Sequence, residues 1–325
     1  MLEIAFLGTS ASAPSVRRGL PATVVLYRDR RWLVDCGEGT QRQILRSGLG
    51  FKRLDTVLLT HGHLDHILGL GGLVSTFARW ESIDRLTIHG GRSALDRVRD
   101  LMGVVLRGDD IGVTIDYVEL EPGPVMRTGD LDVVAFPVKH RGSGNFGFLF
   151  HERSHRPFRV DAAAELGVPQ GPERRRLVQG QSVRLADGRV VQPDDVLGPP
   201  VPGAKLVVLG DVARVDDLVG IARHADALVC ESTYIWEDRA VARQFGHLTA
   251  RQAAELAREA EVGTLFLTHL SRRYGAHQIR QEAQAIFPRT VLADDLDVWR
   301  IRREGVERVR LPVDEDDAPR ATPAR

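Results

Sequence analysis

Cysteine is nearly absent from the chain: Cys36 and Cys230 are the only two in 325 residues. So few thiols exclude a disulfide framework, and their spacing excludes a thiolate zinc clip. Each follows an apolar run, so both read as small buried hydrophobes. No apolar run reaches the roughly 18 residues that a transmembrane helix needs, so no membrane span is expected. The first residues, Met1-Leu2-Glu3-Ile4-Ala5-Phe6-Leu7, lack the basic start of a secretory signal. They lead straight into Gly8, which reads as a strand and makes the cytoplasm the expected location. Net charge is missing too, because 44 Lys and Arg balance 44 Asp and Glu. A polyanion would therefore have to be held by a local basic patch and not by a global field.

What the chain does have is enough apolar residue, 43%, to fold around a sizeable core. It also has one dense cluster of ligand-type side chains. Thr60-His61-Gly62-His63-Leu64-Asp65-His66 holds three histidines and a carboxylate within six residues of one another. The preceding Asp55-Thr56-Val57-Leu58-Leu59 is apolar and β-branched, as in a buried strand. If the chain is extended there, His61 and His63 point to one face. Asp65 and His66 then sit on a turn that opens a helix, Ile67 to Phe77. Neutral imidazoles and carboxylates suit zinc first, with manganese or iron as substitutes.

The same pattern recurs along the chain. Short apolar strands are expected at residues 2–7, 22–27, 32–34, 86–88, 113–118, 131–138, 205–209, 227–230 and 265–267. A ligand-type residue follows most of them: Asp35, then His61 and His63, His140, Asp211, Glu231 and His269. In layered α/β folds the carboxyl rim of the sheet is where sites form. Helices are expected at 40–47, 92–106, 251–261 and 276–286. Five histidines (61, 63, 66, 140 and 269) and two aspartates (65 and 211) make seven ligands. One catalytic zinc needs three protein ligands plus water, so seven fit two metals that share a carboxylate. Two aspartates leave such a cavity net positive, which suits a phosphate diester. His247, in Gly246-His247-Leu248-Thr249-Ala250, could protonate a leaving oxygen, with Glu231 as a backing carboxylate.

Residues 152–204 break the strand-and-helix rhythm. Pro157, Pro169, Pro172, Pro193 and the run Gly198-Pro199-Pro200-Val201-Pro202-Gly203 forbid a long helix there. The segment carries Arg153, Arg156, Arg159, Arg174, Arg175 and Arg176, and a small hairpin is expected about Asp187-Gly188. It reads as a projecting basic arm without a core of its own, able to grip phosphates. Residues 1–311 are otherwise expected to be one catalytic domain, and 312–325 a disordered tail.

These motifs together are similar to the ribonuclease Z family, the short bacterial tRNA 3′-processing endonucleases of the metallo-β-lactamase superfamily. The resemblance is carried by Leu7-Gly8-Thr9-Ser10-Ala11, Asp35-Cys36-Gly37-Glu38-Gly39-Thr40-Gln41, His61 to Leu70, Gly246 to Ala250 and Thr268-His269-Leu270-Ser271-Arg272-Arg273-Tyr274. It implies an αββα sandwich with a protruding tRNA-clamping arm. It further implies two zinc ions per subunit, one on His61, His63 and His140, the other on Asp65, His66 and His269, with Asp211 bridging. Asp65 becomes the proton acceptor for the attacking water and His247 the proton donor, with Glu231 behind the metal ligands. Precursor tRNA is the implied substrate. A homodimer is the implied assembly, each arm reaching RNA on the partner's site, with Arg174, Arg175, Arg176 and Arg273 as candidate RNA contacts. Val212 stands where the resemblance suggests threonine, and Glu173-Arg174-Arg175-Arg176 is more basic than the family's arm.

Two other readings compete. A small-molecule phosphodiesterase or aryl-ester hydrolase of the superfamily would share the metal ligands but has no use for a basic segment of some fifty residues. A non-catalytic RNA-binding relative would have lost ligands, whereas all seven are present.

Overall fold

The computed structural model describes residues 1–80, 83–107 and 112–309. The expected tail at 312–325 lies outside them. The described residues divide into two compact units, one of residues 1–151 with the chain from Ala204 onward, the other Glu152–Gly203.

The larger unit is built on two sheets. The first has eight strands in the order Gly305–Val309, Val298–Arg302, Leu2–Gly8, Ala22–Tyr27, Arg30–Val34, Thr56–Leu58, Arg85–Gly90 and Thr114–Glu119. The second has seven, in the order Thr290–Leu292, Thr264–Thr268, Ala227–Glu231, Lys205–Val208, Phe146–Glu152, Leu131–Pro137 and Gly123–Thr128. Side chains alternate across the strands with period two, so each sheet has two apolar faces. Along Leu2–Gly8, Ile4 and Phe6 enter the layer between the sheets, while Ala5 and Leu7 face the helices. Phe6 meets Phe266 and Trp32 meets Phe150 across that middle layer, with ring centres 5.5 and 5.7 Å apart. Helices Thr40–Ser47, Gly69–Trp80 and Arg92–Leu106 cover the first sheet, and Ala250–Glu259 and Ala276–Gln284 cover the second. This is the αββα sandwich. Among the described residues no helix is long and apolar enough to cross a membrane.

The helix expected from Ile67 begins earlier and is interrupted. His63 precedes a one-turn helix, Leu64–Ile67, and a second helix runs Gly69–Trp80. Several elements escape the sequence pattern, among them the strands Gly123–Thr128, Phe146–Glu152, Thr290–Leu292, Val298–Arg302 and Gly305–Val309 and the helices Val219–Ala222 and Arg239–Phe245.

The Glu152–Gly203 unit corrects one expectation. It has a small core of its own, in which Ala163, Val168, Leu177, Val183, Val191, Val196 and Leu197 are buried together. Short helices at Val160–Glu165, Pro172–Val178 and Pro193–Val196 and the two-strand ladder Val183–Arg184 with Val190–Val191 enclose it. Proline density limits helix length but leaves room for one or two turns each, with Pro172 and Pro193 at helix starts, where a missing N–H costs nothing.

Candidate metal centre

The carboxyl ends of the strands of both sheets deliver the site. Arg30–Val34 runs out into Asp35, and Thr56–Leu58 leads through Thr60 to His61 and His63. The helical turn Leu64–Ile67 carries Asp65 and His66. In the second sheet, Leu131–Pro137 leads to His140 and Lys205–Val208 to Asp211, while Ala227–Glu231 ends on Glu231 and Thr264–Thr268 runs into His269. Asp35 and His269 leave their strands with φ of 58° and 54°. Non-glycine residues rarely adopt that left-handed conformation, and held backbone strain of this kind gathers at functional sites.

The ligand-type atoms fall into sets. His61, His63, His140 and Asp211 each offer one atom within 4.8 Å of the others, and so do Asp65, His66 and His269. Asp211 lies between the sets. Its Oδ2 is 3.5 Å from His61 Nε2 and 3.6 Å from His140 Nε2, and its Oδ1 is 3.4 Å from His66 Nε2 and 3.3 Å from His269 Nε2. His63 Nδ1 is 3.3 Å from His140 Nε2, and Asp65 Oδ2 is 3.4 Å from His269 Nε2. Ligand atoms arranged tetrahedrally about zinc at 2.0–2.1 Å would be about 3.3–3.4 Å apart, so the spacing fits. The buried His61 Nε2, His66 Nε2 and Asp211 Oδ1 have no hydrogen-bond partner. Buried polar atoms are rarely left so, and a cation is the partner that satisfies three lone pairs at once.

The other ring nitrogens are occupied. His66 Nδ1 donates to Asp35 Oδ2 at 2.7 Å and His140 Nδ1 to the Gly246 carbonyl at 2.7 Å. Gly246 reaches that position with φ of 71°, where glycine alone is free of strain. His61 Nδ1 is 3.0 Å from Thr60 Oγ1, and His269 Nδ1 is 2.8 Å from Thr233 Oγ1. Such outer partners fix the tautomer and turn each Nε2 lone pair inward. Gly210 permits this packing, since a Cβ there would stand 2.5 Å from Thr60 Oγ1.

Charge follows the same division. Burial holds His61, His63 and His140 below the ordinary imidazole value, which keeps them neutral. Burial opposes protonation of His66 as well, but the Asp211 and Asp35 carboxylates outweigh it and push His66 up. For Asp65 and Asp211 burial favours the neutral acid. The neighbouring His269 and His66, with His61 beside Asp211, reverse that and hold both well below the usual carboxylate range. A cavity that stabilises two carboxylates and shares protons among imidazoles is one that a divalent cation can enter by displacing those protons.

His247 sits beside the ligand sets. Its ring centre is 5.2 Å from that of His140 and 5.3 Å from that of His269. Its Nδ1 is 3.0 Å from Glu231 Oε1, and the same oxygen accepts the Val212 N–H at 2.7 Å. That backbone donor explains why Val212 serves where threonine was anticipated. Burial opposes a charge on His247, but Glu231, Asp211 and Asp65 raise it to about 9. Asp65 Oδ2 also accepts the Ser12 N–H at 3.0 Å.

The candidate arginines divide by what they touch. Arg174 donates to the Val168 carbonyl at 3.1 Å and lies over the Phe158 ring, so it braces its own unit. Arg175 and Arg176 are exposed. Arg273 pairs with Asp238 at 3.3 Å and lies over the Tyr234 ring, 5.8 Å from its centre. Sequence pattern alone gives Thr60 and Thr233, each inside a candidate motif, no role of its own. A hydroxyl adjacent to a ligand is too common in loops to stand out without geometry.

The comparisons with known proteins agree with this geometry. Residues 17–156 match the model of the metallo-β-lactamase superfamily. Ribonuclease Z of Bradyrhizobium diazoefficiens is 46% identical over 297 residues, covering 91% of this chain and 99% of that protein. Ribonuclease Z of Gemmatimonas aurantiaca is 39% identical over 298 residues, covering 90% and 94%. The crystal structure of human tRNase Z, short form, superposes with a TM-score of 0.64 at 25% identity, covering 92% of this chain and 98% of that one. With seven ligand side chains gathered at one rim and relatives of this identity matched over nearly their whole length, the chain belongs to the ribonuclease Z family of the metallo-β-lactamase superfamily.

Proposed function

We propose that the chain is a dinuclear zinc phosphodiesterase that cuts precursor tRNA on the 3′ side of the acceptor stem and leaves a 3′-hydroxyl. The observation that carries this reading is Asp211, whose two oxygens face two different ligand sets. His61, His63, His140 and Asp211 would hold one ion, and Asp65, His66, His269 and Asp211 the other. Manganese or iron could substitute on the same nitrogen and oxygen atoms. When bound, the ions supply positive charge for the developing phosphorane oxygens and acidify the attacking water.

The chain's own groups do the rest. Asp65 keeps Oδ2 ionised against burial and can take a proton from the attacking water. His247 is charged near neutral pH because Glu231 holds its Nδ1–H, which leaves its Nε2 proton for the departing 3′ oxygen. A cavity of about 440 Å³ lined by Ser10, Arg17, Leu270, Arg272 and Tyr274, with Leu270 next after His269 in the chain, is large enough for a nucleotide. Arg175 and Arg176, exposed on the Glu152–Gly203 unit, are the candidate phosphate contacts. The enzyme works in the cytoplasm as a homodimer. Leu64 and Leu68, exposed at the start and just past the end of the helical turn Leu64–Ile67, offer apolar side chains to a second copy.

The test is to incubate the purified protein with a 3′-extended tRNA precursor and map both new ends. A single cut after the acceptor stem with a 3′-hydroxyl is expected. Cleavage of small phosphodiesters or esters with no cut in the precursor would favour the small-molecule hydrolase.

A further inference from the structure

We infer that Thr60 and Thr233 are positioning residues that each tune a different metal position, Thr60 through His61 and Thr233 through His269. The inference rests on the dinuclear reading above.

The two threonines occupy equivalent places in two clamps, one from each sheet. In the first, Thr60 Oγ1 is 2.8 Å from Asp35 Oδ2 and 3.0 Å from His61 Nδ1. In the second, Thr233 Oγ1 is 2.5 Å from Glu231 Oε2 and 2.8 Å from His269 Nδ1. All six residues are buried. A hydroxyl has one proton to give and lone pairs to accept with. A carboxylate takes that proton in preference to a neutral carbonyl, so the 3.1 Å approach of Thr233 Oγ1 to the His269 carbonyl is the weaker alternative. With its proton committed to the carboxylate, the hydroxyl can only accept from the imidazole. The imidazole must therefore carry its proton on Nδ1 and present Nε2 as a bare lone pair.

Each carboxylate holds a second imidazole without help from the hydroxyl. Asp35 takes His66 Nδ1–H directly, and Glu231 takes His247 Nδ1–H directly. Removing the hydroxyl should therefore free only the histidine that depends on it. His61 belongs to the set with His63 and His140, and His269 to the set with Asp65 and His66. Loss of Thr60 Oγ1 should weaken the first metal position, and loss of Thr233 Oγ1 the second. In both cases the freed imidazole can move its proton to Nε2, where it competes with the metal.

The test measures zinc affinity on the full-length protein by competition with a chelator. Thr60→Val and Thr233→Val keep the shape and remove the hydroxyl, and Thr60→Ser and Thr233→Ser restore it. Two backgrounds resolve the positions: His140→Ala cripples the first and His269→Ala the second. In His140→Ala, Thr233→Val should weaken the remaining zinc by about 10–100-fold, the usual scale for an outer partner of a ligand, and Thr60→Val by less than about 3-fold. In His269→Ala the order should reverse. The serine variants should recover wild-type affinity to within about 3-fold, which a mere packing role for the threonine methyl would not give. Equal weakening of both positions by either valine, no weakening by either, or failure of serine to restore affinity would overturn the inference. A wild-type protein that takes up fewer than two zinc ions at saturation would overturn the dinuclear reading first, and this inference with it. That stoichiometry is read before any substitution is made.

Discussion

Asp65 Oδ2 faces both His269 and the Ser12 amide, and the proposed mechanism gives the same oxygen a proton to accept. Asp65→Ala should lower kcat on precursor tRNA by at least about 10²-fold, the low end of general-base effects. Near-normal turnover would remove it from the mechanism. His247 also lies in a possible ligand group with Asp211 and His269, but its Nδ1 is held by Glu231, so His247→Asn should lower kcat by a similar factor and leave the zinc content at two. Loss of metal in that variant would make it a ligand instead. Cys36 gives a pH prediction. Burial is the main reason its thiol is pushed from 9.0 to about 12, with Asp35 adding and Thr40 opposing. A thiol that keeps its proton longer when folded stabilises the fold fully below pH 9. That contribution is lost as pH rises through about 12. Urea midpoints should therefore fall between pH 8 and pH 10.5 more in the wild type than in Cys36→Ala, and an equal fall in both would contradict it. The seven ligand-type residues are legible because histidine is scarce and their spacing after apolar runs is distinctive. The threonines are not, because Thr60 acts by reaching Asp35 and Thr233 by reaching His269, both distant in the sequence.

At the scale of elements, the strands that carry ligands read clearly, since Val, Ile and Leu runs end at a His or Asp. Thr290–Leu292 and Val298–Arg302 escape because they are short or interrupted by charge, and others because they carry glycine or proline. Phe146–Glu152 contains Gly147, where a Cβ would lie 2.5 Å from the Phe136 ring, so tertiary packing and not propensity demands that glycine. Gly123–Thr128 begins Gly-Pro at the edge of its sheet, the one place where a strand tolerates proline. Proline density in residues 152–204 masks the small core, because the apolar residues that build it are widely spaced in the sequence. Leu177, Val183, Val191 and Val196 meet because the hairpin about Asp187-Gly188 sets Val183 opposite Val191. His151 pairs with Lys205 across adjacent antiparallel strands, so a short turn can replace Glu152–Gly203 without pulling the sheet apart. That variant should keep its zinc, raise KM for precursor tRNA steeply and flatten the salt dependence. Each lost phosphate contact should remove about 0.7–0.9 from the slope of log affinity against log salt. Unchanged affinity and slope would make the unit a linker with no hold on RNA.

At the scale of the whole molecule, the layered sandwich puts the ends of both sheets at one centre, so neither half of the chain can form the site alone. Asp211, from the second sheet, completes ligand sets that begin on the first. Assembly should be visible too. Leu64→Glu with Leu68→Glu should turn a dimer into monomers by sedimentation, and a dimer that survives the pair would place the contact elsewhere. The most direct measurement strips the protein of metal, returns zinc in fractions of an equivalent and follows cleavage of a 3′-extended precursor tRNA at each step. Activity should appear only with zinc, rise until two equivalents per chain are bound, and yield a single cut after the acceptor stem. Full activity at one equivalent, or in the stripped protein, would contradict the shared-aspartate centre.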